Sequence, residues 1–166
     1  MTMLLKTLAA IAAWTVLSAS AFAQSTATAE RIEHHVAKVD GTRFHYVTAG
    51  SGDPVLLLPG WPESWIAWRK IVPLLVSAGR MVVVLDPRGF GESDKPAGGY
   101  DLDTAARDLH AFLLGDALRA TVATLGDRVQ GGLIAGSTEG CGHFLPEECP
   151  DELTEAILKF WHSTAP

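Results

Sequence analysis

The chain has 166 residues, 48% of them hydrophobic, and a formal net charge of −6. That length supports one domain with a hydrophobic core. There is no basic patch of the kind nucleic acid requires, and the acidic balance favours solubility without pointing to a substrate.

At the N-terminus, Lys6 precedes an apolar stretch, Leu8–Leu17, too short and too poorly flanked for a membrane span. Ala21-Phe22-Ala23 then supplies the small-x-small pattern of a cleavage site. This order predicts a signal peptide over residues 1–23, cleavage before Gln24, and export to the periplasm or beyond; an uncleaved N-terminal anchor is the alternative. Residues 24–31, small and polar, read as a flexible leader, and 32–166 as one domain.

Glu33–Val39 and Thr42–Thr48 flank Asp40-Gly41, a two-residue turn signal, and predict a β-hairpin. It carries His34, His35 and His45, read as solvated or structural because no acidic or cysteine partner stands at metal-ligand spacing. The next two apolar runs, Val55–Leu58 and Met81–Leu85, are apolar on both faces, as interior strands of a parallel sheet are. Between them Trp65, Trp68, Val72 and Leu75 fall at helical spacing, which predicts the helical crossover that parallel neighbours need. Ligands bind at the carboxyl ends of strands in open α/β sheets. That directs attention to the loops Pro59–Ser64 and Asp86–Asp94. Gly89-Phe90-Gly91 lacks the third glycine and the helix start of a dinucleotide fingerprint, and no cofactor is expected.

Asp101 is placed to cap a helix running to about Leu114, with Leu102, Ala105, Leu109 and Phe112 on one face. Gly115–Gly126 reads as a loop and a short helix, followed by an apolar run, Val129–Ala135. Gly136-Ser137-Thr138-Glu139-Gly140 has the spacing of a nucleophile turn with Thr138 at its centre. However, Gly142, Pro146 and Pro150 leave no room for the helix such a turn must enter, and Thr138 is β-branched where strained backbone is required. Cys141 and Cys149 flank His143. A disulfide and free thiols both stay open, while zinc is disfavoured by the absence of a second thiol pair. The last segment predicts an amphipathic helix burying Leu153, Ile157 and Phe160.

The pairing of PGWPESW (59–65) with DPRGFGESDKP (86–96) resembles the α/β-hydrolase fold, and within it the epoxide hydrolases and their haloalkane-dehalogenase relatives. The C-terminal Gly142-His143, Pro146-Glu147-Glu148 and final helix are similar to that family's C-terminus. The likeness covers about Ile32–Leu114 and Val129–Trp161. It implies an α/β fold: a truncated α/β-hydrolase core, an N-terminal hairpin plus a short parallel sheet flanked by helices. It also implies that the Trp61 backbone N–H is an oxyanion-hole donor and that His143 is the general base. The chain departs from the family at Pro59, where a histidine is usual. It departs again between about Leu114 and Leu118, where the nucleophile elbow, the strand end bearing the orienting acid, and the lid have no counterpart. Tyr46 and Tyr100 stand outside any lid.

The resemblance therefore implies a hydrolase lineage acting on epoxides or similar small apolar electrophiles, with no assignable nucleophile and hence inactive alone. Alternatives are a weak esterase using Thr138 or Ser137 with His143, and a non-catalytic protein binding a small apolar ligand on a Trp61–Trp68 surface. The vacated sheet position predicts that Val129–Ala135 pairs in parallel beside Val55–Leu58.

Overall fold

A computed structural model describes residues 31–116, 118 and 140–164. The expected signal peptide, the Val129–Ala135 strand, and Ser137 and Thr138 lie outside the described residues.

The hairpin forms where expected. Strand β1 (Glu33–Val39) pairs antiparallel with β2 (Thr42–Gly50), from Glu33 opposite Thr48 to Val39 opposite Thr42. Both turn residues have positive φ, 47° at Asp40 and 83° at Gly41, the backbone that a tight two-residue hairpin demands. Strand β3 (Asp53–Leu57) and β4 (Arg80–Leu85) pair in parallel. Sheet order is β1-β2-β4-β3, with β2 antiparallel to β4, so the hairpin and the parallel pair make one mixed sheet. Among the described residues, β3 is an edge strand.

Residue alternation along β4 sorts the core into two layers. Val83 and Leu85 join Ala37, Val39, Phe44, Tyr46 and Phe112 on one face, covered by helix α2 (Leu102–Leu114). Val82 and Val84 join Val47, Ala49 and Leu57 on the other, against Ile71, Val72, Leu75 and Val76 of helix α1 (Ile71–Ser77). Helix α4 (Pro150–Thr164) packs on this second face, contributing Leu153, Ile157 and Leu158. Leu158 joins Leu153 and Ile157 there, and these three and Phe160 are all half-buried rather than fully buried.

The expected continuous helix from Trp65 is instead broken. A 3₁₀ turn spans Trp65–Trp68 and α1 begins at Ile71. Pro73 supplies the reason: it lacks an N–H for the carbonyl of Arg69, and its ring crowds that carbonyl. Helix α2 starts as read, with Asp101 accepting from the Thr104 N–H. The two cysteines are joined in a disulfide, with Cα atoms 6.2 Å apart, inside the range a bridge spans. No described helix is long and apolar enough to cross a membrane.

Candidate functional site

The loop after β3 and the loop bearing His143 meet. Glu63 N–H closes a turn onto the Gly60 carbonyl at 2.7 Å, the Trp61–Pro62 bond is cis, and the Trp61 side chain is 75% exposed. His143 Nε2 lies 2.8 Å from the Trp61 carbonyl oxygen. A carbonyl only accepts, so Nε2 carries the proton and the neutral ring presents its lone pair at Nδ1. Among the described residues no carboxylate is hydrogen-bonded to His143.

Several local devices hold His143 there. Helix α3 (Leu145–Glu148) turns back on its own loop, and the Glu148 carboxylate accepts from Gly142 N–H at 2.7 Å and Phe144 N–H at 3.1 Å. The Cys141–Cys149 bridge closes the same loop. Arg69, just past the 3₁₀ turn, grips both oxygens of Glu147, and Lys70 Nζ donates to the Glu147 carbonyl at 2.7 Å. Beside this junction an open groove of ≈ 560 Å³ is lined by Pro62, Glu63, Ile66, Phe144 and Glu147. Ile66 (50%) and Phe144 (45%) are exposed there.

The loops after β3 and β4 share an anchor that sequence reading missed. Asp86 is fully buried, and its carboxylate accepts from Trp65 N–H (2.7 Å), Glu92 N–H (3.1 Å) and His45 Nδ1–H (2.8 Å). Its backbone carbonyl accepts from Ser93 Oγ at 2.6 Å, and Ser93 Oγ accepts from His45 N–H. One carboxylate thus fixes the far end of the loop after β3, the loop after β4 and the middle of β2. Gly91 passes against it: a Cβ there would stand 2.6 Å from Oδ1 and closer still to Oδ2.

The hairpin histidines separate. His35 Nε2 meets Thr48 Oγ1 at 2.9 Å and stacks on Tyr46, a structural role as expected. His45 is buried rather than solvated, and its Nε2 lies 2.9 Å from His34 Nδ1. No acidic partner stands at metal-ligand spacing along the chain, but the fold brings the ligand atoms of His34, His45 and Glu92 within 4.8 Å of one another. The available signal was a histidine at the centre of a strand, but its acidic neighbour Asp86 lies 41 positions away and Glu92 further still, so no local spacing reveals them.

A part-buried pair secures the first part of the Asp86–Asp94 loop. Arg88 donates from Nε and a terminal nitrogen to both oxygens of Asp108 on α2, each at 2.7 Å. Its hydrogen bond to Asp108 raises the Arg88 pKa above the ordinary guanidinium value, against the opposing effect of burial.

Residues 53–124 match the model of the alpha/beta hydrolase fold family. Over 82 residues the chain is 50% identical to a soluble epoxide hydrolase of Corynebacterium sp., covering 49% of this chain and 28% of that protein. A putative non-heme chloroperoxidase of Synechocystis sp. is 42% identical over 79 residues, 48% of this chain and 29% of that one. The pig (Sus scrofa) bifunctional epoxide hydrolase 2 is 43% identical over 75 residues, 44% of this chain and 14% of that one. The chain therefore spans less than a third of the length of each of these relatives.

Proposed function

Because the chain belongs to the α/β-hydrolase fold family, on its epoxide-hydrolase-like branch, we propose that it keeps the base side of a hydrolase site without the nucleophile. In this reading it receives small apolar electrophiles, epoxides first among them, and does not turn them over alone. The contact between His143 Nε2 and the Trp61 carbonyl carries the proposal. It sets a histidine against the loop whose Trp61 N–H would face a developing oxyanion. A base without a nucleophile in reach recovers little of a hydrolase's rate. No described residue supplies an orienting carboxylate to His143, and without one a further contribution is lost, the one that selects the tautomer.

The test is diol production from a small aromatic epoxide by the purified chain and by His143→Ala. Equal rates, at the uncatalysed level, are expected. A parental rate well above background that collapses in His143→Ala would refute inactivity, and a matching collapse in Thr138→Ala would establish the esterase-like alternative.

One observation favours ligand binding at this place. Ile66 and Phe144 expose apolar surface in the open groove, and Trp61, next to its lining residue Pro62, is exposed as well. Quenching of tryptophan fluorescence by an epoxide, without diol formation, is the expected signature. We also place the protein outside the cytoplasm, on the order of Lys6, the Leu8–Leu17 stretch and Ala21-Phe22-Ala23. A mature terminus at Gln24, read by mass spectrometry from the native host, is the expected result.

A further inference from the structure

We propose that His34, His45 and Glu92 form a binding site for one divalent transition-metal ion, zinc being the best match. These residues are separate from His143 and Trp61, and the inference does not rest on the hydrolase reading.

Three features carry it beyond a chance cluster. First, the ligand atoms already converge: His34 Nδ1 and His45 Nε2 are 2.9 Å apart, and a Glu92 carboxylate oxygen lies within 4.8 Å of both. Second, the buried ligand is aimed from behind. His45 Nδ1–H donates to the buried Asp86 carboxylate at 2.8 Å, which fixes the tautomer and turns the Nε2 lone pair toward His34. A carboxylate behind an imidazole is the outer partner that orients metal-binding histidines and raises their basicity. Third, that partner is itself immobilised by Trp65 N–H and Glu92 N–H, so one rigid unit sets both the lone pair of His45 and the backbone of Glu92. The ring of His34 meets Trp65 edge-on, with centroids 5.1 Å apart. His34 and Glu92 are exposed, which leaves an ion a path from solvent to the buried nitrogen.

Two imidazole nitrogens and a carboxylate are a ligand set suited to zinc, with a fourth position left for water. Without metal, His34 Nδ1–H donates to His45 Nε2. To bind, both lone pairs must face the ion. The neutral His34 therefore passes its proton through solvent from Nδ1 to Nε2, with no net proton released. Zinc–nitrogen bonds of about 2.0–2.1 Å in tetrahedral geometry set the two nitrogens about 3.3–3.4 Å apart. His34, the exposed member, has to swing outward by only about half an ångström. His35 cannot substitute, since its ring is engaged with Thr48 and Tyr46.

The test is calorimetric titration of zinc into the chelator-stripped full chain, with cobalt(II) absorption reporting coordination. His34→Ala, Glu92→Gln and Asp86→Asn are compared after circular dichroism has shown each to be folded. His162→Ala serves as the control. The parent should bind one zinc and show visible cobalt bands of a four-coordinate site. His34→Ala should abolish the bands and weaken zinc at least tenfold, with about tenfold expected for Glu92→Gln and between 10- and 100-fold for Asp86→Asn. His162→Ala should match the parent. Zinc should also raise the melting temperature of the parent and not of His34→Ala. A folded parent that takes up no zinc, or a His34→Ala variant that binds it as tightly as the parent, would overturn the proposal.

Discussion

Replacing Asp86 tests whether one carboxylate holds the functional end of the sheet together. In Asp86→Ala three donors lose their acceptor: His45 Nδ1–H, which is buried, and the part-buried N–H groups of Trp65 and Glu92. An orphaned buried donor costs about 1–3 kcal/mol, and partial access to water brings each backbone N–H toward the lower end. The total is about 3–5 kcal/mol, against a typical domain stability of about 5–15 kcal/mol.

Asp86→Asn provides the internal control. Its amide oxygen still accepts from Trp65. Its NH₂ can donate to His45 if that ring, and then His34, take their other tautomers. Only the Glu92 N–H is left without an acceptor, so the loss should be about 1–2 kcal/mol. Urea unfolding followed by the fluorescence of Trp61, Trp65 and Trp68 reads both variants, with the slope checked for constancy. A loss below about 1 kcal/mol for Asp86→Ala, or equal losses for the two variants, would show that this carboxylate is not the anchor.

Gly91→Ala places a methyl against the same carboxylate at φ 47°, and should cost about 2–4 kcal/mol by urea unfolding. Asp108→Ala strands the Arg88 guanidinium, whose side chain is only 15% exposed, and should cost about 2–3 kcal/mol in thermal unfolding. Breaking the bridge with Cys141→Ser/Cys149→Ser reopens a loop of sequence separation 8, worth about 2.5 kcal/mol on loop-entropy grounds, and should broaden the His143 ring resonances in NMR. The Asp101 pKa is lowered, chiefly by the Thr104 N–H and then by the Thr104 hydroxyl. A folded value below the unfolded one stabilises above the ordinary carboxylate range, and that stability is lost as pH falls through the folded value. Stability curves of parent and Asp101→Ala should therefore differ at neutral pH and converge in acid.

Much of this fold was legible because it depends on local pattern. The limits of β1 and the start of α2 follow from Asp40-Gly41 and from the Asp101 cap, signals that act within four residues. Strand ends were less sharp. β3 begins at Asp53 and stops at Leu57, since pairing with β4 runs only from Asp53 to Leu57 and leaves Leu58 40% exposed. The interruption before α1 was also in the chain, in Pro73, but the tryptophan spacing outweighed it. The site was half legible: motif resemblance picked out Trp61 and His143, which the fold brings into contact across 82 positions. Asp86 and His45 were not legible as a pair. Their hydrogen bond spans 41 positions and exists only because β2 and β4 lie side by side, with Tyr46 opposite Leu85.

The two constellations share a physical basis. Trp65 opens the 3₁₀ turn, and its N–H is tied to Asp86 while its ring supports His34. Four residues later the same segment supplies Arg69, then Lys70, to hold Glu147 and with it the loop of His143. The Arg69–Glu147 pair is partly exposed and worth little alone, so the position of His143 rests more on Glu148, the disulfide and the Trp61 carbonyl. The Asp86 anchor lies in the core, where an unmet hydrogen bond is costly. Loss of that anchor should loosen the Pro59–Ser64 loop and so disturb both places, whereas loss of the surface ion pair should disturb His143 alone. Paired NMR observation of His34 and His143 in Asp86→Asn and Arg69→Ala separates the two effects. If His34 moved in Arg69→Ala, the segment would be acting as a single loose strap rather than as a rigid turn with two independent ends.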